Sequence, residues 1–239
     1  MKWTLVALAA LLAACRGDGG GADEVPAAPA DYAARRAELA RERDALAAAW
    51  RAAPSEAARD RVRGRAARVL VDALRDEILP AWNGTPWAFS GTATAPGEAP
   101  IACGYFVSTA LEHAGLAVER RRLAQQAAEH IITTLVPEPR IARFRRVSLA
   151  AFVAAVARQG DGLYIVGLDN HVGFLVVERG DVFFHHASSH AGAVVRERAL
   201  VSAPLAASSY RVVGKLGDAT LVDAWLAARA IPTRVPGGT

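Results

Sequence analysis

Paired cysteines, lysines and long apolar runs are what this chain lacks. Its 239 residues contain two cysteines, at 15 and 103, in unrelated settings. No His-Glu-x-x-His segment accompanies them, so neither a disulfide framework nor a zinc site is indicated, and we expect no metal. Gly-x-Ser-x-Gly and phosphate-loop patterns are absent too, which argues against a serine-elbow hydrolase and a P-loop enzyme. Beyond the first dozen residues no stretch is apolar enough to cross a bilayer. Of the 28 basic residues only Lys2 and Lys215 are lysine, a skew we attribute to GC-rich coding. The formal charge of +4 would suit an anionic polymer such as cell wall. Arginines interleaved with acids in the early helices leave no basic face for nucleic acid, and we expect none as a partner. Aromatics are 7% and the 52% hydrophobic content is inflated by alanine, so a globular chain of small side chains is expected.

What the chain does have begins at its N-terminus. Met1-Lys2 is followed by an apolar run from Trp3 to Leu12, then Ala13-Ala14-Cys15. A short charged start, an apolar run of this length and small residues directly before a cysteine form the pattern of a bacterial lipoprotein signal. Residues 1–14 are therefore read as signal peptide and Cys15 as the lipidated residue. Residues 15–30, rich in glycine, alanine and proline, read as a flexible tether reaching at most ~50 Å. The implied location is the cell envelope, lipid-anchored to a membrane; in a Gram-negative cell this would be the outer membrane, facing the periplasm.

The spacing of Tyr32, Leu39 and Leu46 predicts a helix from Asp31 to Trp50, broken by Pro54. Ser55 is placed to cap a second helix, running to Pro80 through Val62, Val69, Leu70, Leu74 and Ile78. Residues 31–80 should thus form a helical hairpin, and 81–230 the main domain. Residues 82–101 read as a loop. Helices are expected from Cys103 to Gly115, from Arg121 to Leu135 and from Leu149 to Arg158. After Gly162 the pattern turns to strands: 163–168, 171–177, 182–186, 193–196 and 211–216, with a closing helix at 219–229. Helices followed by an antiparallel meander give an α+β class.

Cys103 falls in the first turn of its helix, where free N–H groups and the helix dipole favour thiolate over thiol. The same N–H groups could receive an oxyanion. A thiol nucleophile needs a base, and His171, at the start of a strand, supplies one. A two-residue turn at Arg179-Gly180 pairs Gly173 with His186 and His171 with Ser188. Alternation along the strands then puts His171 and His186 on one face and His185 on the other. Cys103, His171 and His186 form a nucleophile, base and orienter. His113 is read as a residue favoured by a helix C-terminus, and His190 is given no role.

These residues resemble the NlpC-type cell-wall cysteine peptidases and amidases, a papain-like superfamily. The resemblance rests on Gly84-Thr85-Pro86-Trp87, Cys103-Gly104-Tyr105-Phe106, His171-Val172-Gly173 and Phe184-His185-His186-Ala187-Ser188. It spans roughly residues 82–190. It implies a papain-like domain with the cysteine-bearing helix packed on an antiparallel sheet, and an amide hydrolase acting on peptidoglycan peptides without a cofactor. Cys103, His171 and His186 would be catalytic; Trp87, Gly104 and Ser188 would contact substrate. The chain departs from the family pattern at Ala102, where an acid or amide is usual, and at Gly104-Tyr105, where Ser-Gly is usual. The competing expectation is a noncatalytic envelope lipoprotein that uses the same fold to bind wall or a protein partner.

Overall fold

A computed structural model describes residues 29–234. The expected signal peptide (1–14), the lipid at Cys15 and nearly all of the tether (15–30) lie outside the described residues. Helix α1 covers Pro29–Arg51 and α2 covers Glu56–Asp72. As expected, Ser55 caps α2, its Oγ accepting the N–H of Ala58 at 3.2 Å. Tyr32, Leu39 and Leu46 of α1 are buried in the same core as Leu70 and Leu74. Burying a leucine side chain of this kind contributes roughly 1.5–3 kcal/mol, which is what holds such a hairpin together.

Pro80 does not end the second helix as expected. Residues Ala73–Ile78 widen into a π turn, with the N–H of Leu79 reaching the carbonyl of Leu74, and a last turn, α3 (Leu79–Ala81), follows. A proline ring clashes with the carbonyl four residues back, and a widened turn moves that carbonyl aside. Helix α4 runs Cys103–His113, with Phe106, Val107, Ala110 and Leu111 fully buried. The single helix expected over 121–135 is two, α5 (Arg120–Ala124) and α6 (Ala128–Leu135). They serve different surfaces. The Ala124 carbonyl lies against Gly104 of α4, whereas Ala128 and Ile132 lie over Gly167 of the sheet, so no straight helix could make both contacts.

The remaining elements are β1 (Ile141–Arg145), α7 (Leu149–Ala157), β2 (Gly162–Gly167), β3 (Val172–Glu178), β4 (Asp181–Ser188), β5 (Ala193–Arg198), α8 (Ala203–Ala207), β6 (Tyr210–Lys215) and α9 (Ala219–Leu226). The six strands form one antiparallel sheet in the order β1-β6-β2-β3-β4-β5. The protein is therefore α+β. Helices cover both faces of the sheet. Leu163, Ile165, Phe174 and Val176 join the core beneath α4, α6 and the hairpin, while Tyr164, Val166, Leu175 and Val177 join a second core beneath α7 and α8. Double burial explains why β2 reads as an unbroken apolar run rather than an alternation. No helix among the described residues is long and apolar enough to cross a membrane.

The β3–β4 turn sets the register on which the site depends. Arg179 and Gly180 both have positive φ, 51° and 87°, the two-residue hairpin geometry that matches strand twist. Glu178 pairs with Asp181 and Phe174 with His185, the registration expected from the turn.

Candidate active site

The site gathers at the edge where α4 begins, β3 begins and β4 ends. Cys103 is the first residue of α4, and Ala102 before it offers no side-chain cap. The N–H groups of Val172, Gly104 and Cys103 itself point at the sulfur. Burial nevertheless dominates and pushes the thiol above its ordinary value, with those N–H groups only partly opposing it. This corrects the expected resting thiolate. A helix start favours the anion, but taking the sulfur out of water disfavours it more.

His171 sits in the turn between β2 and β3, and that turn is fastened. The His171 carbonyl accepts the N–H of Leu168 at 2.8 Å. Asp169 accepts the N–H and O–H of Ser209 at 2.7 and 3.1 Å, and its own N–H bonds Ser208 Oγ at 3.1 Å. The backbone N–H of Ser209 is the main reason the Asp169 carboxyl is held below its usual range.

A line of side chains then crosses the sheet. His171 Nε2 meets His186 Nδ1 at 2.9 Å with the rings 85° apart, and His186 Nε2 meets Glu197 Oε1 of β5 at 3.1 Å. Burial alone would raise the Glu197 carboxyl. Hydrogen bonds from His186 and Ser202 oppose it, and the carboxyl lies below its ordinary value. An ionised Glu197 can only accept, so His186 Nε2 carries the proton. In neutral His186, Nδ1 is then the acceptor, and His171 donates to it from Nε2. His171 Nδ1 is left with a free lone pair, and the cysteine sulfur lies against the N–H of the very next residue, Val172. Burial is the leading cause that brings His171 down to about 3, so its imidazole rests neutral. The line therefore ends in an unprotonated base that shares its cleft with a neutral thiol.

Glycine at 173 makes this crossing possible. A Cβ there would stand 2.7 Å from a Phe184 ring carbon, 2.8 Å from His186 Cβ and 2.9 Å from the His185 carbonyl. His186 is fully buried and stacks on Phe184 with ring centroids 4.0 Å apart. We therefore expect Gly173→Ala to destabilise the fold by about 1–3 kcal/mol, measured by urea denaturation, because backbone and packed rings must shift.

Trp87, Phe89, Cys103, Asn170, His171, His186 and Ser188 share one cleft of about 520 Å³, with Ser189, His190 and part of α8. The structure thus brings together Cys103, His171, His186, Trp87 and Ser188. Gly104 does not line the cleft; it backs onto the Ala124 carbonyl and contributes only its N–H to the sulfur.

Sequence reasoning missed Glu197 and His190. The strand expected over 193–196 stops one residue short of Glu197, whose cross-strand partner is Phe184, two residues from His186 on the same face. His190 follows the strand in a turn, where nothing in its neighbours signals the cleft. His185 points to the other face as expected, 5.7 Å from the Phe106 ring, with both ring nitrogens unpaired. His113 is not a dipole partner. It is buried, its Nδ1 bonds the Tyr32 hydroxyl at 2.8 Å, and Trp82 Nε1 donates to that hydroxyl at 3.1 Å. Among the described residues no group of three or more His, Cys, Asp or Glu side chains is arranged to hold a metal ion. No family model matches the chain, and no curated protein or solved structure matches it either.

Proposed function

We propose that this chain is a cysteine hydrolase of amide bonds, a distant NlpC-type, papain-like enzyme. The observation that carries the reading is the His171–His186–Glu197 line, which terminates in the cleft that also holds Cys103. On attack, the thiol proton passes to His171 Nδ1 as sulfur bonds to the carbonyl carbon. The carbonyl oxygen gains charge near the first N–H groups of α4. His171 then returns the proton to the departing amine, leaving a thioester, and water resolves it to acid and free thiol. The imidazolium that forms in between is stabilised through His186 by the carboxylate of Glu197, as in other nucleophile–base–orienter sites. No cofactor enters these steps.

Peptidoglycan peptides are the substrate class supported by the family resemblance and by the export signal. The lipid at Cys15 and the tether would hold the enzyme at the membrane within reach of wall. A digest of purified wall, analysed by mass spectrometry, tests this. Wild-type protein should release cleaved muropeptides, and Cys103→Ala should release none. Cleavage that survives Cys103→Ala and stops with chelator would replace the reading with metal chemistry. The second reading, a noncatalytic binding lipoprotein, draws on the raised thiol; wall binding without cleavage by the wild-type protein would favour it.

A further inference from the structure

Resting on that reading, we infer that the acyl half of the scissile amide is an uncharged aliphatic group seated between Phe89 and Pro204. The chain has 28 basic and 24 acidic residues, yet among the described residues no lysine, arginine, aspartate or glutamate lines the cleft. Its apolar lining comes from two segments, a first wall of Trp87 and Phe89 and a second of Ala203, Pro204 and Ala207 in α8. Phe89, in the first wall, is 89% exposed, a large apolar side chain left in water.

Both walls are built rather than loose. The first is tied to the sheet edge by the N–H of Gly84 on the Val194 carbonyl, 2.9 Å, and the N–H of Trp87 on the Gly192 carbonyl, 2.8 Å. The second is pinned by Arg211, 2% exposed, which donates to the Leu205 carbonyl at 2.9 and 2.7 Å and to the Val147 carbonyl at 2.8 Å. A carboxylate on the acyl group would lose hydration here without meeting a cation, whereas methylenes gain by leaving water. Among wall peptides, the preferred junction has an aliphatic residue on its acyl side. The same chemistry is offered by a lipid acyl chain.

The test acylates the full chain with p-nitrophenyl esters. Thioester formation on Cys103 releases p-nitrophenol, read by absorbance and by intact mass, with Cys103→Ala as the control. Butyryl, hexanoyl and octanoyl esters vary chain length, and N-acetyl-leucyl and N-acetyl-glutamyl esters compare peptide groups. The leucyl ester should react at least about tenfold faster than the glutamyl ester, and each added methylene should speed acylation about fourfold. Phe89→Ser should flatten both preferences. A rise continuing to octanoyl supports a lipid source; a plateau after hexanoyl with leucyl still preferred supports a peptide side chain. Equal leucyl and glutamyl rates with a flat chain-length series overturn this inference and leave the hydrolase reading standing. No acylation of Cys103 by any ester overturns both.

Discussion

His171→Ala is expected to lower kcat/KM for amide cleavage about 10⁴-fold, the upper end for loss of a positioned general base. The loss is this large because the thiol has no other route to its anion. Its burial holds it protonated, and the N–H groups of Val172 and Gly104 do not overcome that. The same variant should slow alkylation of Cys103 by iodoacetamide at neutral pH, a readout independent of any substrate. The effect should diminish along the line. His186→Ala removes the acceptor that fixes the His171 tautomer and should lower the rate about 10³-fold. Glu197→Gln keeps a polar partner but loses the charge behind the imidazolium, and about tenfold to 10²-fold is expected. A graded series with KM little changed matches residues acting one through another. Equal effects at all three positions, or unchanged alkylation in His171→Ala, would refute the proton route.

Acidification should unfold this protein well above the pH at which most carboxylates titrate. His113 is brought from 6.5 to about 4, and His171 and His185 to about 3, with burial the leading cause in each. In the unfolded chain all three take up protons as pH falls through about 6.5, while the folded chain does not. Stability is therefore complete above that value and is lost as pH drops toward 3. Each histidine contributes a slope of about 1.4 kcal/mol per pH unit in that window, so at pH 5 the three together remove about 6 kcal/mol. That is comparable to the ~5–15 kcal/mol by which domains are stable. Urea midpoints at pH 7.5 and 5 should differ sharply, and His185→Leu, which removes an imidazole with no hydrogen-bond partner, should recover about a third of the difference. A midpoint unchanged between the two pH values would contradict the burial of neutral histidines.

Local rules carried some of these features and not others. The Arg179–Gly180 turn fixes a register from nearest neighbours alone, so the face shared by His171 and His186 was legible from chain position. So were the Ser55 cap and the buried stripe of α4. The α5–α6 break was not, because its cause is contact with two distant surfaces at Gly104 and Gly167. Strand β1 escaped notice because Ile141–Arg145 is an edge strand with arginines among its apolar residues. Pro80 misled because a π turn has no strong local signature. His113 was misread because its partner Tyr32 lies 81 positions away. Glu197 belongs to the same class: only the pairing of β4 with β5 brings an acid to His186. Thiol ionisation was misjudged for a related reason, since a helix start is visible in sequence but the depth at which it lies is not.

The buried trio of Trp82, Tyr32 and His113 has a consequence for how the molecule comes apart. The Tyr32 hydroxyl from α1 is the hydrogen-bond partner of both the indole after α3 and the imidazole at the far end of the cysteine-bearing helix. Peeling the first helix away would strand two polar rings in an oily interior and uncover the leucines beneath. Helix α1 is thus bound into one cooperative unit with the cysteine-bearing helix, with no separate melting step of its own.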